Sequence, residues 1–80
     1  VLALYTRRWI LARTGGMDGE MQTRFTSNQF LANRGNPTEV EAEIGRIFEN
    51  EGLEAAFGWI EKHLLPLFER QESKRKHKKP

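Results

Sequence analysis

GLEAAFGWIEKHLLPLFE, residues 52–69, carries the longest apolar stripe at helical spacing in the chain. Leu53, Ala56, Phe57, Ile60, Leu64, Leu67 and Phe68 fall on one face, because positions three and four apart stack above one another on an α-helix. A stripe of that length has to be covered, so the residues before it must supply a matching surface. Pro66 interrupts it: the ring removes the bond to the Lys62 carbonyl and crowds that turn. The helix is therefore expected to kink or end near Leu64 and continue through Leu67 and Phe68.

Towards the N-terminus, Asn50, Glu51 and Gly52 separate this helix from a second one, whose apolar positions are Val40, Ile44, Ile47 and Phe48. Thr38 and Glu41 stand at capping-box spacing after an Asn36-Pro37 turn, and Glu39, Glu41 and Glu43 complement the positive end of the helix dipole. Gly45 costs such a helix about 1 kcal/mol relative to alanine, which the close approach of a neighbouring backbone would explain. Further upstream, Thr26 and Gln29 repeat the capping-box spacing, and Phe25 and Phe30 occupy hydrophobic-staple positions. They predict a short helix to about Arg34, with Gly35 in the left-handed conformation after it.

Residues 1–14, VLALYTRRWILART, fit two patterns. Leu2, Tyr5, Trp9 and Ala12 suit a helix; Tyr5, Arg7, Trp9 and Leu11 suit one face of a strand. With GGMDG behind them, a hairpin returning over residues 20–25 competes with the helix. A third reading begins the ordered domain near Met17 or Met21 and makes the upstream piece an extension. The sequence thus predicts a mainly α fold in three parts. These are an N-terminal extension, helix or β-hairpin, over 1–25, a small three-helix bundle over 26–70, and a disordered basic tail over 71–80, where no apolar residue occurs.

Charge is unevenly placed. Of thirteen basic residues, Lys74, Arg75, Lys76, Lys78 and Lys79 lie in the last eight positions; the other eight face eleven acidic ones, so the fold itself is mildly acidic. That disfavours a phosphate-gripping basic fold and leaves the tail as the candidate nucleic-acid contact. No cysteine is present, which excludes disulfides and thiolate metal sites and suits a reducing, intracellular location, cytoplasmic or nuclear. No run approaches the roughly 18 apolar residues of a membrane span, and Arg7 and Arg8 break the first apolar stretch, so no signal peptide is expected.

The residues of catalysis are not assembled. His63 and His77 lack metal-ligand spacing, Ser27 and Ser73 lack a nucleophile motif, and Gly15-Gly16 belongs to no phosphate loop. The expectation is a non-enzymatic protein with no metal or cofactor. Trp59 and His63, four apart, are helical neighbours, either a pair closing the core edge or an exposed aromatic anchor. Leu65 falls about 120° from the stripe centre by the helical count and should face solvent.

NEGLEAAFGWIEKHL, Asn50 to Leu64, resembles the third helix of ubiquitin-associated (UBA) domains, particularly those of isopeptidase-type deubiquitinating enzymes. QFLANRGN, Gln29 to Asn36, takes the place of that family's first-helix end and glycine loop, and TEVEAEIGRIF that of its second helix. The resemblance covers about residues 26–65 and implies a compact three-helix bundle. Its usual Met-Gly-Phe or Met-Gly-Tyr loop is missing: Arg34 and Asn36 flank Gly35 instead. The implied function is binding of ubiquitin, or of another protein with an apolar patch, through Gly35, Trp59, Leu64 and Leu65. An alternative class is a nucleic-acid-associated protein using Lys74, Arg75, Lys76, Lys78 and Lys79. A third is a structural subunit that buries Trp9, Ile10 and Leu11 against another chain.

Overall fold

Among the described residues, the side-chain oxygens of Asp18, Ser27 and Asn36 cap three of the helix starts. In a computed structural model, which describes the backbone of residues 1–77 and side chains as far as Lys74, the order is α1 (Leu2–Thr14), α2 (Gly19–Thr26), α3 (Asn28–Leu31), α4 (Pro37–Glu51), α5 (Leu53–His63) and α6 (Leu65–His77). No strand occurs among the described residues. Residues 1–14 therefore take the helical alternative, and residues 20–25 form α2 rather than the return of a hairpin.

The caps lie near their expected places but on different residues. Thr26 ends α2 and donates its hydroxyl back to the Gln22 carbonyl at 2.9 Å, which leaves Ser27 to accept from the Phe30 amide at 3.1 Å and start α3. Asn36, not Thr38, caps α4, accepting from the amides of Thr38 and Glu39. Pro37 at the first helical position makes this possible, since its missing N–H would have been unpaired there in any case. The left-handed glycines are Gly15, at φ 78°, and Gly52, at φ 98°. Gly35 is not among them: the turn after α3 closes with ordinary backbone angles, its amide bonding to Leu31. At Gly45 no backbone approaches, and an added Cβ would meet nothing within 4 Å. Gly45→Ala should accordingly stabilise the protein by about 1 kcal/mol, measured as a raised urea midpoint with unchanged slope.

α5 packs against α4, α1 and α6; α1 also lies on α2, and α3 joins α2 to α4. The centre is aromatic. Phe25 is fully buried, 4.6 Å from the Phe68 ring, 5.3 Å from Phe30 and 6.0 Å from Trp9. Trp9 and Phe30 both meet Phe68 edge-on. Ile10 is fully buried in its own chain and so cannot be buried against another, Trp9 is half-buried, and Leu11 alone of that trio faces out. Phe48, expected on the buried face of α4, is exposed because Val40, Ile44 and Ile47 already cover the contact with α5.

The chain breaks at Leu64, whose φ of −109° and ψ of −42° separate α5 from α6 two residues before Pro66, which then falls in the first turn of α6 where its missing N–H would have no partner in the helix. Leu65 is half-buried against the core instead of exposed, while Leu67 and Phe68 keep the covered side that the stripe gives them. α6 then runs through His77, and residues 71–77 are helical where a disordered tail was expected; residues 78–80 lie outside the described residues. Good helix formers without glycine or proline, cations near the negative end of the dipole, and an anchor account for this. The anchor is Arg24, whose guanidinium reaches both carboxylate oxygens of Glu72 at 3.1 Å. Arg13 adds a looser pair with Glu69 at 3.7 Å.

Tyr5 sits edge-on to Phe57 at 5.4 Å, its hydroxyl buried and near Glu61 without closing a well-formed hydrogen bond. Burial first, then the charges of Glu61 and Glu69, push its pKa from 10.0 up to about 12. A phenol that holds its proton longer when folded contributes stability that is complete below pH 10 and is lost as pH rises towards 12. Discounted for solvent screening, the loss is about 1–2 kcal/mol. Because Tyr5 is the only tyrosine, tyrosinate absorbance reports the titration directly, and Tyr5→Phe should flatten the fall in melting temperature over that window.

A shallow site between the Gly35 loop and Trp59

The loop after α3 is held by short-range bonds. The Asn33 side chain donates to the Phe30 carbonyl at 2.8 Å, and the amides of Arg34 and Gly35 donate to Leu31. Its far end is fixed by the Asn36 cap of α4. Gly35 is exposed, and a Cβ placed on it would lie 4.0 Å from the Val40 side chain, so an alanine there fits without displacing anything.

α5 brings Trp59 to this loop. Trp59 is half-buried, with the His63 ring 4.8 Å away at 43°, and the Arg34 guanidinium lies 5.8 Å from the indole centre. The two rings cover the edge of the core and leave part of the indole surface open. Arg34, Gly35, Asn36, Glu39, Val40 and Trp59 line a depression of about 260 Å³. Glu43 on its rim is engaged by Arg46.

Of the residues singled out in sequence, Gly35 and Trp59 are thus brought together. Leu64 is not part of any surface: it is fully buried in the core and cannot touch a partner. The same break that hides it leaves Leu65 only partly accessible. Among the candidate phosphate contacts, Lys74 is exposed on α6, Arg75 and Lys76 continue its helical backbone, and Lys78 and Lys79 lie outside the described residues. Arg34 escapes sequence reasoning. In sequence it is only a departure from the family loop, and nothing local signals that it will stack on an indole from another helix.

Chemically, the depression offers an aromatic face, one guanidinium, the Glu39 carboxylate, the Asn36 side chain and loop backbone. An arginine over a tryptophan contributes about 0.5–1 kcal/mol at an exposed site and holds the indole in one orientation. Among the described residues, no three His, Cys, Asp or Glu side chains gather closely enough to hold a metal ion. No helix among them is long and apolar enough to cross a membrane. No protein-family model matches this chain, and no curated protein or solved structure matches it.

Proposed function

We propose that this protein is a non-enzymatic interaction module, which takes an apolar patch of a partner protein onto Trp59 and the Gly35 loop. Ubiquitin is the partner suggested by the UBA-like pattern of residues 26–65. The observation that carries the reading is the meeting of two separate segments, the loop before α4 and the middle of α5, on one open aromatic surface. Aromatic side chains in partly covered pockets are the usual anchors of protein contacts. The order α3, α4, α5 with short connections supports the family pattern, and Leu64, fully buried, plays no part.

The surface is small, so the affinity is weak, with a dissociation constant of about 0.1–1 mM. In a nuclear magnetic resonance titration of the labelled chain with ubiquitin, the Gly35 amide and the Trp59 indole N–H should shift and saturate together. Trp59→Ala should abolish the saturation while leaving distant amides where they were. Absence of any shift at these two groups in millimolar ubiquitin removes the proposal.

A further inference from the structure

Among the described residues, the α1 face that carries Leu4 and Leu11 and the α4 flank that carries Phe48 are exposed and opposite in charge, and the α4 flank borders Val1, Leu2 and Ala3 of its own chain across a shallow depression. α1 directs Leu2, Tyr5, Thr6 and Ile10 into the core, so Leu4, Arg7, Arg8 and Leu11, at i, i+3, i+4 and i+7, form its opposite face. Leu4 and Leu11 are each 45% exposed. The helix holds three arginines and no carboxylate. One of them, Arg13, faces Glu69, while Arg7 and Arg8 stand on the outer face, Arg8 also covering the Phe57 ring at 5.4 Å.

α4 is the reverse. It has five carboxylates against the single Arg46, which is occupied by Glu43. Glu41, Gly45, Phe48 and Glu49 share one side of it at i, i+4, i+7 and i+8. Phe48 is 42% exposed between the two glutamates, and Gly45 lets another backbone come close. Single exposed apolar residues are ordinary. Here the exposed leucines lie among arginines and the exposed phenylalanine among glutamates, on two helices of the same chain.

We propose that the α1 face of one copy of this chain docks on the α4 face of a second copy, with Leu4 and Leu11 against Phe48 and Gly45, and Arg7 and Arg8 towards Glu41 and Glu49. Charge complementarity selects a second copy as occupant, because each face supplies what the other lacks. A single pair of helix faces buries less than about 1,200 Å² in total, the size of weak, transient contacts. The flanking charges are solvent-exposed, so their attraction is screened by salt. The site is separate from the Trp59 depression, and its test does not depend on ubiquitin.

Sedimentation equilibrium over rising concentration, at low and high salt, tests this. At low salt the average mass of the native sequence should climb with concentration and fall back when salt is added. Leu11→Glu and Phe48→Arg should each weaken association at least about tenfold, the scale of losing one anchoring side chain. Both positions are exposed, and unchanged melting confirms that each variant folds. Arg7→Glu, which alters charge alone, should weaken association several-fold. The deciding sample is an equal mixture of Leu11→Glu with Phe48→Arg. The first keeps an intact α4 face and the second an intact α1 face, so the mixture should be heavier than either variant alone. A monomer mass at every concentration overturns the proposal, as does a mixture no heavier than its components.

Discussion

A fragment spanning residues 26–65 should fail to fold, even though it contains α3, α4 and α5 complete. The cut removes Phe25 and Phe68, which meet at 4.6 Å in the centre of the core, together with Tyr5, Trp9 and Ile10 from α1. Loss of a buried phenylalanine ring costs about 3–5 kcal/mol, and a domain of this size has on the order of 4–12 kcal/mol of stability altogether. Two such losses use up that margin before the leucine, isoleucine and tyrosine contacts are counted. The whole chain should melt in one cooperative transition by far-ultraviolet circular dichroism; the fragment should give a coil spectrum with no transition. A cooperative melt of the fragment would make α1, α2 and α6 appendages to a self-sufficient three-helix unit.

Phe25→Ala should be the most damaging single substitution, costing about 3–5 kcal/mol. Phe25 is the hub of the aromatic cluster, with Tyr5, Trp9, Phe30 and Phe68 all within 6.3 Å ring to ring. These partners come from α1, α3 and α6, helices too constrained by their own packing to move inwards together and fill the gap. The matched control is Phe48→Ala, the same chemical change at an exposed position, which should stay within about 0.5 kcal/mol of the native sequence. Urea unfolding of the two variants gives the comparison. Equal midpoints would mean that the core closes around the missing ring.

How much of the fold is legible in the sequence depends on the range of the interactions. Helical spacing finds α4 and α5, and Pro66 marks the break near Leu64, because both are local properties of the chain. The caps fall one or two residues from their expected places, since Thr26 and Ser27 compete for neighbouring roles and only the bond to Gln22 decides between them. α1 is ambiguous in sequence because its apolar residues run almost all round, and the choice of helix is made by α2 and α5 packing on it. The part of α6 from residue 71 onward reads as a disordered tail because its anchor is Arg24, far upstream, reaching Glu72. At the candidate site, Gly35 and Trp59 are readable from pattern. Leu64 lies on the core stripe by spacing and is a contact residue only through the family resemblance, so its complete burial follows the spacing; Arg34 is invisible because its indole partner lies on a separate helix.

The break at Leu64 also bears on when the protein can fold. A chain leaves the ribosome N-terminus first, and Phe68 lies beyond the break, so it is among the last core groups to emerge. Until it does, Phe25, Trp9 and Phe30 lack the one ring that all three meet, and bringing the two ends of that long loop together is an entropic cost met only at the finish. Nascent helices before that moment expose an open aromatic cavity. Folding is therefore completed only once α6 has emerged, and a chain stalled just short of Phe68 should be the form that chaperones and proteases see.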